Sequence, residues 1–391
     1  MAENKDQHYV PKMLMKRFAD EKHIFSFIFN DSKDLKTVIN VPYDNQCQYG
    51  YYYGRDKEWE HLLNGIETKA SPIFDKICMN HSYYPSVDEI KIIKNFFLAQ
   101  RTRTPRMVNW EKANIRQSYL EGFRMYLYHG EPIRLSQSEI EMVDSSKTEY
   151  FEEQAKHMMR SICFNSSYIS DLELIIVHFN CKTNLILSDD PVIVLNPFMH
   201  SAGLINIGIV ILMPISPQTV IVLRDPVLFE PVKKIIYSIR EKAVNSLNIF
   251  QSITFDKRIM FCDSHDVEYV RELIQKTSTE RKTFNKIGEG AIFYGKKDSM
   301  LITHNPSLLP NYPYIFSSIK REYRRFKFID IINYRFKNNK YLDRLDTLLP
   351  IVGRNPLSKT SVEKIPKYKE FTISYWQEHK KFETEVVNLE K

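Results

Sequence analysis

Glycine is scarce in this chain of 391 residues, with 11 in all. The one close pair, Gly288 and Gly290 in IGEG, lacks the GK[ST] ending of a phosphate-cradling loop, so a P-loop is excluded. The five cysteines, Cys47, Cys78, Cys163, Cys181 and Cys262, are odd in number and far apart. That spacing excludes a CxxC zinc site and a disulfide framework, and it reads as reduced thiols in a cytoplasmic protein. No apolar run reaches the roughly 20 residues a membrane helix needs. The longest candidate, Leu204 to Pro214, reads as a buried strand. The start has no basic segment leading into an apolar one, so no secretory signal is expected. Neither a G-x-S-x-G elbow nor an HExxH helix is present, which removes the common serine hydrolase and zinc protease signatures.

Aromatic side chains, by contrast, are abundant, with 23 Tyr and 24 Phe, and they serve both for core packing and for stacking against planar ligands. A hydrophobic content of 43% with 26% charged residues is that of a folded globular protein. The length favours two lobes, or one large domain with an added piece. The net charge of +7, at a pI of about 8.9, mildly favours anionic partners such as nucleic acid.

Residues 12–18 suit a short helical turn, and His23 to Phe29 with Lys36 to Asn40 reads as a hairpin around the turn-rich NDSKD. Val41 to Gly54 reads as an aromatic loop. From Arg55 to Met79, Trp59, Leu62, Leu63, Ile66, Ala70, Ile73 and Ile77 recur at steps that place them on one helical stripe, which Pro72 is expected to kink or split. SVDE at Ser86 and SQSE at Ser136 are capping boxes that open two further helices, the first ending at Pro105, with another over Asn109 to His129 between them. Beyond Tyr168 short strands follow, at Leu172–Phe179, Leu185–Leu187, Val192–Leu195, Ile205–Met213 and Val220–Leu223. Two are apolar enough for a sheet covered on both faces. Helix is expected over Val232–Gln251 and Val267–Thr277, with a strand at Phe255–Phe261 between them. The expected fold is therefore α+β: a helical N-terminal half packed on a mixed or antiparallel sheet. The core spans 1–282, with a helical lobe to about 165 and a sheet lobe from about 166. Residues 283–391 form a basic aromatic C-terminal extension. Within it, Asn311 to Asp343 holds eight Lys and Arg against three acids, an excess of five.

Five ordered patches carry a family resemblance: HYVPKMLMKRF (His8–Phe18), YYYG followed by an E-x6-E helix (Tyr51–Glu67), Q-x-x-R-T-P (Gln100–Pro105), SDDPV (Ser188–Val192) and LMPISPQ (Leu212–Gln218). Together they resemble the bacterial family catalogued as domain of unknown function 4238, over roughly residues 8–265. The resemblance implies a bacterial or phage-related, cytosolic protein, often encoded near mobile or defence genes. It implies no mechanism.

The polar residues in these patches define the candidate site. Glu60 and Glu67 are two helical turns apart and share a face, as do Gln100 and Arg103, so a bidentate Glu67–Arg103 pair across two helices is geometrically reasonable. In the Ser188, Asp189, Asp190 turn one carboxylate is expected to cap backbone amides and the other to point outward. His8, stiffened by Tyr9 and Pro11, suits a metal ligand, an acid or base near neutral pH, or a plug in a cleft. If the protein is an enzyme, this inventory suits phosphodiester hydrolysis of RNA or DNA. Asp189 and Asp190 would hold Mg2+ or Mn2+, Arg103 would meet the phosphoryl charge, and His8 would transfer a proton with Glu67 beside it. Tyr9, Glu60, Gln100, Ser188, Arg321, Arg324, Arg325 and Lys327 are the candidate binding residues. The rival reading is a non-catalytic subunit in which the same residues form a buried network and the basic tail grips nucleic acid or a partner protein.

Overall fold

In the computed structural model the described residues are 6–29, 35–54, 58–129, 134–163, 166–196, 204, 208–226 and 228–284, with two short strands within 291–302. The order begins with strand β1 (Asp6–His8), the short helix α1 (Lys12–Met15), the hairpin β2 (His23–Phe29) and β3 (Leu35–Pro42), and β4 (Gln48–Gly50). Four long helices follow: α2 (Glu58–Met79), α3 (Val87–Thr102), α4 (Pro105–Leu127) and α5 (Gln137–Cys163). Then come β5 (Glu173–Phe179), β6 (Leu187–Ser188), β7 (Ile193–Leu195), β8 (Val210–Ser216), β9 (Thr219–Arg224) and β10 (Ile235–Ser238). Helix α6 (Glu241–Thr254), β11 (Arg258–Phe261), α7 (Val267–Lys276) and α8 (Ser278–Phe284) complete the core, and β12 (Ala291–Tyr294) with β13 (Ser299–Ile302) forms a separate hairpin.

The fold class is the expected α+β one, with the strands distributed over two main sheets. One has the order β10-β5-β9-β8-β7, antiparallel except where β10 runs parallel to β5. The other has the order β3-β2-β11-β6 and is antiparallel throughout, so the N-terminal hairpin joins strands from the far end of the core. Strands β8 and β9 are buried almost end to end, as a sheet shielded on both faces requires. Their Leu212, Met213, Val220 and Ile221 share one core with Ile73, Phe74 and Ile77 of α2, Ile93, Phe96 and Phe97 of α3, and Val244, Leu247 and Phe250 of α6. At roughly 1.5–3 kcal/mol for each large side chain removed from water, this core is the main source of cohesion. A second cluster, Phe27, Ile186, Phe255, Phe261 and Leu273, glues α7 to the four-stranded sheet.

Three local expectations are corrected. Pro72 does not split α2, whose buried stripe continues from Trp59 and Leu63 to Ile73 and Ile77 on both sides of it. The segment 232–251 is not one helix, because IIYS is taken up as edge strand β10 before α6 begins. The aromatic loop contains β4, which pairs with β1 in the register His8 to Gln48. Both capping boxes form: Ser86 and Glu89 exchange hydrogen bonds at the start of α3, and Ser136 and Glu139 do so ahead of α5. The break between α3 and α4 follows from Thr104 preceding proline. That neighbour disfavours helical backbone, so Thr104 adopts ψ 145°, caps α4 through its hydroxyl and leaves Pro105 at the first helical position.

His178 on β5 is 3% exposed, stacks on His81 with ring centroids 4.3 Å apart, and hydrogen-bonds through Nδ1 to the Thr219 hydroxyl. Its Nε2 is buried with no hydrogen-bond partner among the described residues. Burial, with His81 beside it, pushes its pKa down to about 4. The unfolded chain takes up this proton near 6.5. The stability that neutral His178 carries is therefore complete above about pH 6.5 and is lost as pH falls through about 4. His178→Gln is expected to remove roughly 2–4 kcal/mol of that acid sensitivity. Melting curves between pH 7 and 4 test it, and an unchanged pH slope would refute it.

Candidate functional site

The seven residues QRTRTPR straddle the α3–α4 break, and the side chains of Gln100 and Arg103 on one hand and Thr104 and Arg106 on the other are directed to two different parts of the fold. Gln100 and Arg103 face the N-terminal strand. The Gln100 amide donates to the Tyr9 carbonyl (3.0 Å), and its oxygen accepts from Arg103 Nε (2.9 Å) and Nη2 (2.6 Å). Arg103 Nη1 then reaches Glu67 Oε1 of α2 at 2.6 Å. The Glu67–Arg103 pair thus forms through one nitrogen, and the rest of the guanidinium is spent on Gln100. At 1% exposure Arg103 is buried, with its guanidinium directed to Gln100 and Glu67.

The same strand is also anchored through the side chain of its own Gln7, a residue that motif reasoning missed. Its amide donates to the Gly54 carbonyl and to Glu60 Oε2, and its oxygen accepts from the Tyr53 backbone N–H. The Tyr53 hydroxyl donates to the His8 carbonyl at 2.9 Å. Glu60 and Glu67 therefore do share one side of α2, and both serve to fasten β1. Gln7 was legible only as a buried polar residue in a strand of three, too short a pattern to stand out.

Thr104 and Arg106 face the other way, onto the turn after β6. The Thr104 hydroxyl donates to Asp190 Oδ1 (2.9 Å) and Arg106 Nη1 to Asp190 Oδ2 (2.7 Å). Asp190 is 1% exposed, so the carboxylate expected to point outward is the one buried against the helix break. Arg101 lies in the same cluster at 6% exposure, near Asp190, Arg106 and Glu111. Burial pushes its pKa down to about 10, with the Asp190 charge opposing that shift. Burial also raises the pKa of Glu111, against the donated hydrogen bond of Asn114 and the charge of Arg101.

Asp189 turns to a third partner. Its carboxylate accepts the backbone N–H groups of Asp256 (2.8 Å), Lys257 (2.8 Å) and Arg258 (3.0 Å) in the turn between α6 and β11. Burial, reinforced by the neighbouring Asp256 carboxylate, raises its pKa to about 7, while the amides pull it down. An Asp capping amides is expected in this turn, but the amides come from 67 to 69 residues away. Two further polar residues clamp the segment from α6. Asn248 accepts from the Ile186 N–H and donates to the Asn184 carbonyl, while Gln251 accepts from the Ser188 N–H and donates to the Pro191 carbonyl. Their spacing of three in an apolar helix is the signal that could have revealed them. Ser188 is itself buried, with its hydroxyl unpartnered among the described residues.

Asp189 and Asp190 thus point into separate networks, with both oxygens of each in use. They do not fit a shared Mg2+ or Mn2+, which needs a set of available oxygen ligands. Among the described residues no group of three or more His, Cys, Asp and Glu is placed to hold a metal ion.

His8 retains a more open position. Its Nε2 lies 2.9 Å from the Asp44 carbonyl, and since a carbonyl only accepts, that nitrogen carries the proton. Nδ1 is left as the lone-pair nitrogen. Burial lowers the imidazole pKa, aided by the Lys12 and Arg103 charges and opposed by the Asp44 hydrogen bond and the Glu67 charge. His8, Glu60, Glu67, Gln100 and Arg103 are therefore brought together around β1, with Tyr9 buried behind them. Arg321, Arg324, Arg325 and Lys327 lie outside the described residues.

A chain organised around these patches belongs to a recognisable group of proteins. It is a member of the family described as protein of unknown function (DUF4238), whose match spans residues 6–265. No curated protein and no solved structure matches it. No helix among the described residues is long and apolar enough to cross a membrane.

Replacing Asp189 by Ala orphans three amides at once. With each buried unsatisfied group costing about 1–3 kcal/mol, a loss of roughly 3–5 kcal/mol in unfolding free energy is expected. Denaturant titration measures it, and a loss under about 1 kcal/mol would show that the amides find other acceptors.

Proposed function

We propose that this protein is a cytosolic nucleic-acid-binding subunit whose family core is a rigid scaffold and whose basic aromatic extension supplies most of the contact with phosphates. The observation that carries the scaffold reading is the commitment of the motif side chains to the protein itself. Asp189 is spent on three amides, Asp190 on Thr104 and Arg106, and Arg103 on Gln100 and Glu67. Charge supports the division of labour. Of the chain's 55 Lys and Arg and 48 Asp and Glu, residues 285–391 hold 20 and 12, leaving 35 against 36 in residues 1–284. The core is electrically near neutral, and the positive excess belongs to the extension. Aromatic residues alternating with arginine, as in Tyr323, Arg324, Arg325, Phe326, suit base stacking and phosphate pairing together.

A second reading, acid-base cleavage of phosphodiesters, rests on His8 alone. Its fixed tautomer and lowered pKa present a neutral imidazole nitrogen, as a general base requires.

Filter binding of single-stranded RNA and DNA across a salt series from about 50 to 300 mM tests the proposal. Affinity is expected to fall steeply with salt, and substituting Arg321, Arg324, Arg325 and Lys327 by Ala is expected to reduce the log–log slope by about one for each phosphate that is no longer neutralised. Absence of binding at low salt would overturn it. Cleavage of either nucleic acid that His8→Ala abolishes, at an unchanged melting temperature, would replace it by the second reading.

A further inference from the structure

The geometry points to a second contact on the neutral core: a tyrosine-walled cleft that receives a single planar heteroaromatic ring, an unstacked nucleobase. The inference rests on the nucleic-acid reading above and adds a base-binding site to it.

The cleft encloses about 270 Å3. Tyr49, Gly50, Tyr51 and Tyr52 form one wall, and Pro105, Val108 and Asn109 of α4 with Glu152 and Lys156 of α5 form the other. This size lies just below the roughly 300–1,000 Å3 of drug-sized ligand pockets and suits one small planar group. The tyrosine wall belongs to a continuous row of rings. Tyr9 stacks on Tyr49 at 5.3 Å, Tyr49 meets Tyr52 at 5.8 Å, Tyr52 meets Tyr53 at 4.9 Å, and Tyr53 meets Trp59 at 5.3 Å. A wall of rings held by their neighbours loses little entropy when a ring is added to it.

Two features show that this wall is shaped at a cost. Tyr51 has φ 53° and Cys47 φ 52°, a left-handed conformation that bulky residues rarely adopt and that concentrates at functional sites. The Tyr52 hydroxyl is buried without a hydrogen-bond partner among the described residues, a second cost of holding the rings in this arrangement. Burial accordingly holds this phenol well above its ordinary pKa, as a neutral donor.

The charges in the cleft select the ligand class. Lys156 is paired with Glu152 at 3.1 Å and Glu153 at 3.7 Å, so its own charge is already offset. What remains is ring surface and the exposed Asn109 amide, which can donate to and accept from the polar edge of a base.

The full-length protein is titrated with adenosine monophosphate, with inorganic phosphate and with single-stranded oligonucleotides, followed by intrinsic fluorescence. Saturable quenching is expected with the nucleotide and none with phosphate. Asn109→Trp, which fills the cleft from an exposed helix position, is expected to leave the melting temperature unchanged. It should weaken nucleotide and oligonucleotide binding about tenfold or more, the scale of one stacked base removed. A mononucleotide that binds as tightly as the oligonucleotide would identify a free nucleotide as the source of the ring, and a far tighter oligonucleotide would identify a nucleic-acid strand. Salt-sensitive oligonucleotide binding without nucleotide quenching, or unaffected by Asn109→Trp, would overturn the cleft and leave the extension reading intact. Absence of binding to either would overturn both.

Discussion

The helix break at Thr104–Pro105 is the constraint on which the rest of the core depends. A continuous helix would carry its side chains around a regular spiral. The extended backbone of Thr104 instead lets successive residues reach opposite sides, with Gln100 and Arg103 directed to the N-terminal strand and Thr104 and Arg106 to the turn after β6. Proline imposes this conformation locally, and the polar side chains convert it into long-range order. Strand β1, helix α2 and the sheet turn are separated widely in sequence, yet all three hang on a segment seven residues long. Asp189 extends the same logic by joining that turn to the far strand β11.

Such a hub is expensive. Arg101, Arg103 and Arg106 are each at most 8% exposed, and taking a guanidinium out of water costs several kcal/mol unless its partners are well placed. Arg103 meets that condition with three nitrogens engaged, and Arg106 meets it at Asp190. Breaking either pair leaves an uncompensated buried charge, which is a larger penalty than the net benefit of forming it. The network therefore contributes less to total stability than its number of hydrogen bonds suggests. Buried hydrocarbon from α2, α3, α6 and the five-stranded sheet supplies the cohesion that makes this arrangement tolerable.

Most secondary structure was legible because periodicity and caps are local. The stripe of α2, the two capping boxes and the hairpin at His23 needed only neighbouring residues to be recognised. Strand β10 was not legible, since IIYS between charged residues fits a helix as well as a strand, and only the exposed edge of β5 decides between them. At the site, the shared faces of Glu60 with Glu67 and of Gln100 with Arg103, and the Glu67–Arg103 contact between them, were readable from spacing, whereas the use of Gln100 and Glu60 to fasten the N-terminal strand was not. A carboxylate that caps amides 67 residues away looks identical in sequence to one that binds a cation. The distinction lies in which oxygens are already occupied, and that is a property of tertiary packing. Arg106 is silent in the sequence for the same reason, as its partner Asp190 lies 84 positions away.

The partition of charge bears on how the core and its extension divide recognition. A near-neutral core with buried ion pairs has little long-range field, so it neither attracts nor repels a polyanion strongly at distance. The extension has the opposite character, and its attraction weakens within about a Debye length, roughly 8 Å at physiological salt. On the proposed reading a strand captured by a basic segment would be held at high effective concentration on the protein without any net charge being needed in the core. The tyrosine cleft of the proposed reading would then select by ring shape and edge chemistry, with proximity supplied by electrostatics. On that reading the left-handed backbone at Cys47 and Tyr51 has a use: a site that works by stacking needs its rings fixed in place, and the backbone on either side of β4, braced by β1, fixes them.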